Sequence, residues 1–353
     1  MGGVEELINQ ICSGAAKRGI SSDVLTTSHD TTSVDFGDHV HHRVKLDVKI
    51  ASTAFSMRAF SRFAALSKQA DLIHYHFPWP FADLVHFATR SGKPSIVTYH
   101  SDIVRQRTLN EIYKPLRNRF LGSVDRIVAT SPNYVATSDV LQRFRDKVEI
   151  IPIGLDKASY PEPSEERLKH WRARFPQPFF LFVGNLRYYK GLHILLEACR
   201  GTNFPVLIVG AGPVENVLRQ QAGRLALGHV HFLGPVDDSD KIALLTLCHA
   251  LTFPSHLRSE AFGISLLEGA MFSKPLVTAE IGTGTSYVNI DGETGFVVPA
   301  CDSAALRNAM ARLYNEPELA IRLGTNARMR FEKCFTAERM VDSYISLYRR
   351  LAR

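Results

Sequence analysis

Phe179-Phe180-Leu181-Phe182-Val183-Gly184-Asn185-Leu186-Arg187-Tyr188-Tyr189-Lys190-Gly191 reads as a buried strand, a glycine turn carrying two cations, and the entry to a helix. A continuous apolar run closed by glycine fits a strand covered on both faces of a sheet. The order of strand, glycine, cations and helix is that of a phosphate site. Arginine engages two phosphate oxygens as a planar fork, and lysine adds a compact charge. The plainer alternative is a solvated loop with surface cations, which are common.

Working outward, apolar or β-branched runs alternate with helical patterns at Asp23 to Thr27, Leu72 to His76, Ser95 to Tyr99, Arg126 to Thr130 and Val148 to Pro152. That alternation predicts a parallel α/β domain. A second series follows at Phe179 to Gly184, Val206 to Gly210, Val230 to Leu233, Leu251 to Pro254, Pro275 to Ala279 and Gly295 to Val298. A chain of 353 residues exceeds the size at which one core stops growing, so two doubly wound sheets in tandem are the simplest account. Gly154, Pro161 and Pro163 amid mixed charge mark Ile153 to Arg167 as an interdomain linker, with the boundary near residue 155. The expected organisation is a first domain over 1–155, a second over 156–336, and an amphipathic terminal helix over 337–353.

The chain opens Met1-Gly2-Gly3-Val4-Glu5-Glu6 directly into a helical pattern containing Leu7, Ile8, Ile11 and Ala15. A Rossmann-like domain places a strand and a glycine-rich turn ahead of its first helix, whose start can bind phosphate. Here the glycines are present and the strand is absent. The expectation is a start downstream of the natural one, against the alternative of an ordinary flexible terminus.

Composition narrows the class without naming a ligand. Hydrophobic residues make up 45% of the chain and the net charge is +7, which suits an anionic substrate, a membrane surface or nucleic acid equally. The five cysteines (Cys12, Cys199, Cys248, Cys301 and Cys334) form no CxxC pair and no Cys/His cluster, which favours a reducing cytoplasm over a disulfide framework or a zinc site. No apolar run is long enough to cross a membrane, so work at a membrane would be done from its surface.

Glu260-Ala261-Phe262-Gly263-Ile264-Ser265-Leu266-Leu267-Glu268 sets two carboxylates eight positions apart around a small-residue turn. On a helix that spacing is a little over two turns, so both can lie on one side. An acidic residue ahead of a helix is equally well a cap. Gly210-Ala211-Gly212 could admit a ligand close to the backbone, but Glu215 stands where a dinucleotide fingerprint has its third glycine, which disfavours a dinucleotide site; a tight strand-to-helix turn explains the glycines as well as nucleotide contact does.

In the first domain, His74-Tyr75-His76-Phe77-Pro78-Trp79-Pro80 and Thr98-Tyr99-His100-Ser101-Asp102 end two strands, where open α/β sheets bind ligands. His100 is the leading first-domain candidate, while His74 and His76 fit satisfied core residues. The three histidines lack zinc-like ligand spacing, so no metal site is assigned. Asp237-Asp238-Ser239-Asp240 reads as the start of a helix near Lys241 and not as a metal site. From Ile103 to Arg119, Arg105, Arg107, Lys114, Arg117 and Arg119 interleave with apolar residues, a pattern suited to anionic lipid, a phosphorylated acceptor or a solvated helix face. No nucleic-acid motif accompanies it.

Taken together, Gly2-Gly3-Val4-Glu5, His100, Ile151-Pro152-Ile153-Gly154, Val183 to Arg187 with Lys190-Gly191, Glu260 to Glu268, and Asp291 to Val298 make the chain resemble the retaining GT-B glycosyltransferases of family 4, with the E-x7-E donor site. The resemblance implies an α/β fold of two Rossmann-like domains facing a cleft, with the first strand of the N-terminal domain missing. The N-terminal domain would bind acceptor and the C-terminal domain the nucleotide sugar. The terminal helix would cross back to the first domain. It implies catalytic roles for His100, Arg187, Lys190 and Glu260: Arg187 and Lys190 on the donor diphosphate, Glu260 on the donor sugar's hydroxyls, and His100 on the sugar from the acceptor side. Donor binding would fall to Gly3, Phe262, Gly263, Ile264 and, on the ribose hydroxyls, Glu268. The scheme requires no metal and no cofactor, the nucleotide sugar being a substrate.

His76 to Pro80 and Thr98 to Asp102 look most like the mannosyl and rhamnosyl transferases of bacterial O-antigen synthesis. The expected activity is therefore transfer of a hexose from GDP-mannose or a GDP-rhamnose type donor to a glycan or lipid-linked acceptor. The expected location is the cytoplasm, with a peripheral position on the inner face of the membrane as a further option. A UDP-sugar donor and a non-catalytic sugar-nucleotide or glycan-binding module are the alternatives. A Rossmann oxidoreductase lacks its fingerprint here.

Overall fold

In a computed structural model of the chain, residues 3–50, 53–103 and 107–352 are described. The chain divides into two compact units, residues 1–153 with 337–353, and residues 154–336.

Unit 1 opens with the helix Gly3–Ala16; Gly2 lies outside the described residues. Among the described residues nine strands follow: β1 (Asp23–Ser28), β2 (Thr32–Asp35), β3 (Val40–Lys45), β4 (Val48–Ile50), β5 (Thr53–Phe55), β6 (Ile73–Phe77), β7 (Ser95–Tyr99), β8 (Arg126–Ala129) and β9 (Val148–Ile150). β6 to β9 form a parallel sheet in chain order. The expectation of a purely parallel first domain needs correction. β1 pairs parallel with β3, but β2 runs antiparallel to β3, and β4 and β5 form an antiparallel hairpin. These extra strands are short and rich in histidine, lysine and threonine, so they lack the buried apolar runs that reveal β6 to β9.

The terminal helix Ala337–Leu351 belongs to unit 1, buries Met340, Val341, Tyr344, Ile345 and Leu347, and packs on the opening helix. Arg18 pairs with Asp342 at 2.5 Å, and a Cβ added at Gly14 would strike Val341. A depression of about 360 Å³ lined by Arg18, Asp342 and Arg349 lies on this helix and holds none of the candidate residues.

Unit 2 is one six-stranded parallel sheet, built from β10 (Phe180–Val183), β11 (Val206–Val209), β12 (Val230–Gly234), β13 (Ala250–Phe253), β14 (Leu276–Glu280) and β15 (Gly295–Pro299) in the order β12-β11-β10-β13-β14-β15. Every residue of β10, β11 and β13 is buried, as central strands covered on both faces must be. From β10 the chain winds outward through β11 and β12, then returns to place β13 on β10's other edge. The order therefore reverses between β10 and β13, and the crevice beyond their carboxyl ends is where such sheets bind ligands.

The segment expected to be a linker is packed into unit 2. Leu155 is 4% exposed, its amide donates to Phe335 O at 2.9 Å, and it bridges Thr336. From Glu165 the chain is already helical. Proline and mixed charge signal irregular backbone, and irregular backbone can still be held by its own hydrogen bonds.

Candidate functional site

The site in unit 2 is built from the turns that follow β10 and β13. Gly191 lets them approach. It sits in the left-handed region at φ 72°, and a Cβ there would lie 1.9 Å from Pro254 O. The His256 amide donates to Tyr189 O at 2.9 Å, and Ser265 Oγ donates to Val183 O at 2.9 Å. These contacts tie the cation-bearing turn to the segment that carries the two glutamates.

Lys190 ends a short 3-10 turn, Tyr188–Lys190, and its ammonium donates to Glu260 Oε2. Both side chains are 11% exposed. Ser255 Oγ donates to the same carboxylate oxygen at 3.4 Å, and the ammonium lies 4.5 Å from the centre of the Phe253 ring. Among the described residues no hydrogen bond is made to Glu260 Oε1. The pair thus leaves one carboxylate oxygen open to a hydroxyl-bearing ligand, beside a positive charge. Arg187, three positions before Lys190, is exposed, and its guanidinium has no hydrogen bond or ion pair among the described residues. It is a cation free to meet an anion.

Glu268 lies within the helix Ile264–Met271 and is 6% exposed. Its Oε1 accepts from Tyr160 Oη at 3.0 Å and lies 3.1 Å from Lys241 Nζ. Burial disfavours the Lys241 ammonium, yet the facing charge of Glu268 and the bonds to Glu268 and Asp238 raise its pKa above the ordinary value. Tyr160, Lys241 and Ser255 were not singled out from sequence. Tyr160 lay in the supposed linker, Lys241 in a helix start, and no local pattern marks any of them.

The two-turn spacing argument for the glutamates does not hold. The helix begins at Ile264 with Gly263 as its N-cap, so Glu260 stands ahead of the helix, in a turn where its amide donates to Leu257 O at 3.0 Å. Nor is Glu260 the cap, since no side chain caps this helix. Tertiary contacts, not helical periodicity, place the two carboxylates. Phe262 is 3% exposed with its ring against Phe335, so only its backbone is available to a ligand, while Ile264 is half-buried. Gly210 is needed for packing: a Cβ there would lie 2.0 Å from Gly184 O.

In unit 1, His100 follows β7, and its Nε2 lies 2.9 Å from His76 Nδ1. His74 has both ring nitrogens satisfied, by Tyr348 Oη at 2.8 Å and Thr98 Oγ1 at 2.7 Å, which bears out its reading as a core residue. Burial depresses all three histidines, His74 to about 3 and His100 to about 4, so they are neutral near pH 7. A neutral His100 is a hydrogen-bonding group with one nitrogen committed to His76. Gly3 opens the first helix of this unit.

The basic stripe is partly structural. Arg105 lies outside the described residues. Arg117 is buried beside the carboxyl of Asp83, and Arg119 stacks on Phe87 at 5.1 Å. Asp237 caps the helix Asp238–Leu247 by accepting from the Asp240 amide at 2.7 Å, so that helix begins three residues earlier than expected and its acidic start is a cap. Among the described residues no three His, Cys, Asp or Glu side chains converge as metal ligands, and no helix is long and apolar enough to cross a membrane.

Residues 164–330 match the family model described as glycosyl transferases group 1, and residues 1–159 match glycosyltransferase family 4. The chain is 58% identical to the D-rhamnosyltransferase WbpZ of Pseudomonas aeruginosa over 96% of this chain and 89% of that one. It is 50% identical to the O-antigen chain mannosyltransferase C of Escherichia coli over 98% and 94%. Among solved structures, the sucrose-phosphate synthase of Thermosynechococcus elongatus matches with a TM-score of 0.79 at 23% identity, over 99% and 94% of the two chains. Anabaena HepE in complex with UDP and glucose matches with a TM-score of 0.77 at 19% identity, over 98% and 95%. These two likenesses bear out the expected GT-B fold and extend no further. With relatives this similar along nearly its whole length, the chain belongs to the group 1, family 4 glycosyltransferases and is a sugar-transferring enzyme.

Proposed function

We propose that the enzyme transfers a mannose or D-rhamnose unit, with retention, from a GDP-linked donor to a glycan or lipid-linked acceptor in surface polysaccharide synthesis. The names of the two similar relatives support the sugar and the pathway class. The observation that carries the donor site is the buried Lys190–Glu260 contact beside the free Arg187, at the crevice between β10 and β13.

In this reading the acceptor hydroxyl bonds to the anomeric carbon as the bond to the β-phosphate oxygen breaks, and the acceptor proton passes to the leaving phosphate. Charge builds on that phosphate. Lys190, held by Glu260, is preorganised to meet it and the unpaired Arg187 adds a second cation, which lowers the barrier because the interaction is strongest in the transition state. Glu260 keeps Lys190 in place through Oε2 and accepts from sugar hydroxyls through Oε1. Glu268 accepts from the ribose. His100, held neutral, donates or accepts one hydrogen bond toward the sugar. A nucleotide-sugar donor suits a cytoplasmic reaction, with a lipid-linked acceptor met at the inner membrane face.

The test is a titration of GDP- and UDP-sugars followed by product analysis with a lipid-linked acceptor. Binding of GDP-mannose or GDP-rhamnose and formation of the retained linkage is expected. Exclusive use of a UDP-sugar would overturn the donor assignment, and binding without transfer to any acceptor would favour a binding module.

A further inference from the structure

Glu268 is held by more than a donor site needs if its only task were to be negative. Two donors from distant parts of unit 2 converge on the same oxygen, Oε1: Tyr160 Oη at 3.0 Å and Lys241 Nζ at 3.1 Å. Among the described residues no hydrogen bond is made to Oε2. The two donors also brace each other, since the Lys241 ammonium lies 5.4 Å from the centre of the Tyr160 ring. That ring also meets Phe272 edge-on at 6.2 Å.

The torsion of a carboxylate about its last bond is broad, so an unheld Glu268 would present either oxygen over a wide arc. An ammonium alone narrows this little, because it is a rotatable point charge that follows the carboxylate. A phenol on a ring held between such contacts is different. Its hydroxyl has one position, and the bond to it sets where Oε1 stands and therefore where Oε2 points.

We propose that Tyr160 is a positioning residue for the donor site, fixing the Glu268 carboxylate through Oε1 so that Oε2 is aimed at the ribose hydroxyls of the nucleotide. This rests on the reading of Glu268 as the ribose-binding group. Tyr160 itself touches no substrate. It comes from the first turn of unit 2, just after the 3-10 turn Lys157–Ser159, so a segment that looks like connecting chain sets the selectivity of a helix more than a hundred positions away.

The experiment is calorimetric titration of the full chain and of Tyr160→Phe with GDP and with 2′,3′-dideoxy-GDP, the uridine pair being run alongside. Phenylalanine keeps the ring under Lys241 and against Phe272, and thermal melting checks that the variant folds as the parent does. The parent is expected to prefer the ribose nucleotide. In Tyr160→Phe that preference should fall about tenfold, the scale of one hydrogen bond to a charged group, while affinity for the dideoxynucleotide is unchanged. Turnover at saturating donor should stay within about twofold, placing the loss in KM. A parent that prefers ribose and a variant that prefers it equally would overturn the role of Tyr160 and leave Glu268 standing. A parent indifferent to the ribose hydroxyls would overturn the Glu268 reading, and the proposal with it.

Discussion

Lys190 and Glu260, seventy positions apart and carried by turns that follow two adjacent strands of one sheet, meet as an ion pair with 11% of each side chain exposed. Taking two charges out of water is costly, and only their mutual attraction and further hydrogen bonds offset it. Here Ser255 and the Phe253 ring supply the extra contacts. The pair proposed to serve the donor is thus also part of what holds the crevice in shape.

Lys190→Ala should therefore fail twice. Stability should drop by about 3 to 5 kcal/mol because Glu260 is left buried and unpaired. Turnover should fall by about 2 to 4 kcal/mol of transition-state stabilisation, the scale of one lost preorganised donor. Urea unfolding and steady-state kinetics read the two effects separately, and the double variant Lys190→Met with Glu260→Gln should recover much of the stability without the activity. An unaltered urea midpoint in Lys190→Ala would contradict the buried pair.

Arg187→Ala provides the contrast. Its guanidinium is exposed and unpaired among the described residues, so stability should change by no more than about 0.5 kcal/mol. The loss in turnover should still be about 2 to 4 kcal/mol. Wild-type turnover in this variant and in Lys190→Ala together would sink the diphosphate assignment.

The two glutamates should separate in kinetics. Glu260→Gln should impair transfer more than nucleotide binding, and Glu268→Gln should weaken nucleotide binding more than transfer. Measuring the dissociation constant of the nucleoside diphosphate beside kcat distinguishes them, and equal losses in both quantities for Glu260→Gln would make that residue structural.

Gly191→Ala should destabilise unit 2 without adding or removing charge. The left-handed backbone costs about 1 to 3 kcal/mol for a non-glycine residue, and the added Cβ, 1.9 Å from Pro254 O, also forces the two turns apart. A lowered melting temperature with a matching loss of donor affinity is the expected result. Retention of both would mean that the turns need not touch.

Unit 1 should be acid-labile in a defined window. An unfolded histidine takes up a proton near pH 6.5, whereas burial holds folded His100 to about 4 and folded His74 to about 3. Below pH 6.5 the unfolded state binds protons that the folded state refuses, so the stability present above that pH is lost as it falls toward 4. Thr98, Tyr344, Tyr348 and His76 surround these rings and supply no carboxylate to offset the charge. The urea midpoint should fall between pH 7.5 and 5, and His100→Gln should reduce the size of that fall. A pH-independent midpoint would show that the histidines titrate normally.

Strands β1 and β6 to β15 are legible in the sequence because most are short apolar or β-branched runs bounded by glycine, proline or polar residues. The two-domain α/β class and the glycosyltransferase family follow from them and from the motifs. The hairpins β2–β3 and β4–β5 were missed because half-exposed strands with histidine and lysine carry no such run. Arg117 was misread as a surface charge, since periodicity does not register that a carboxyl, Asp83, waits buried beside its helix.

What the sequence by itself determined is local: which runs are strands, which turns carry glycine, and which side chains have the chemistry for phosphate and hydroxyl groups. The partnerships were decided only by tertiary structure. Glu260 and Glu268 looked like one pair on one helix. They are two separate stations, one tied to Lys190 and the other to Tyr160 and Lys241, because the winding of the sheet reverses between β10 and β13 and brings together turns that are remote along the chain.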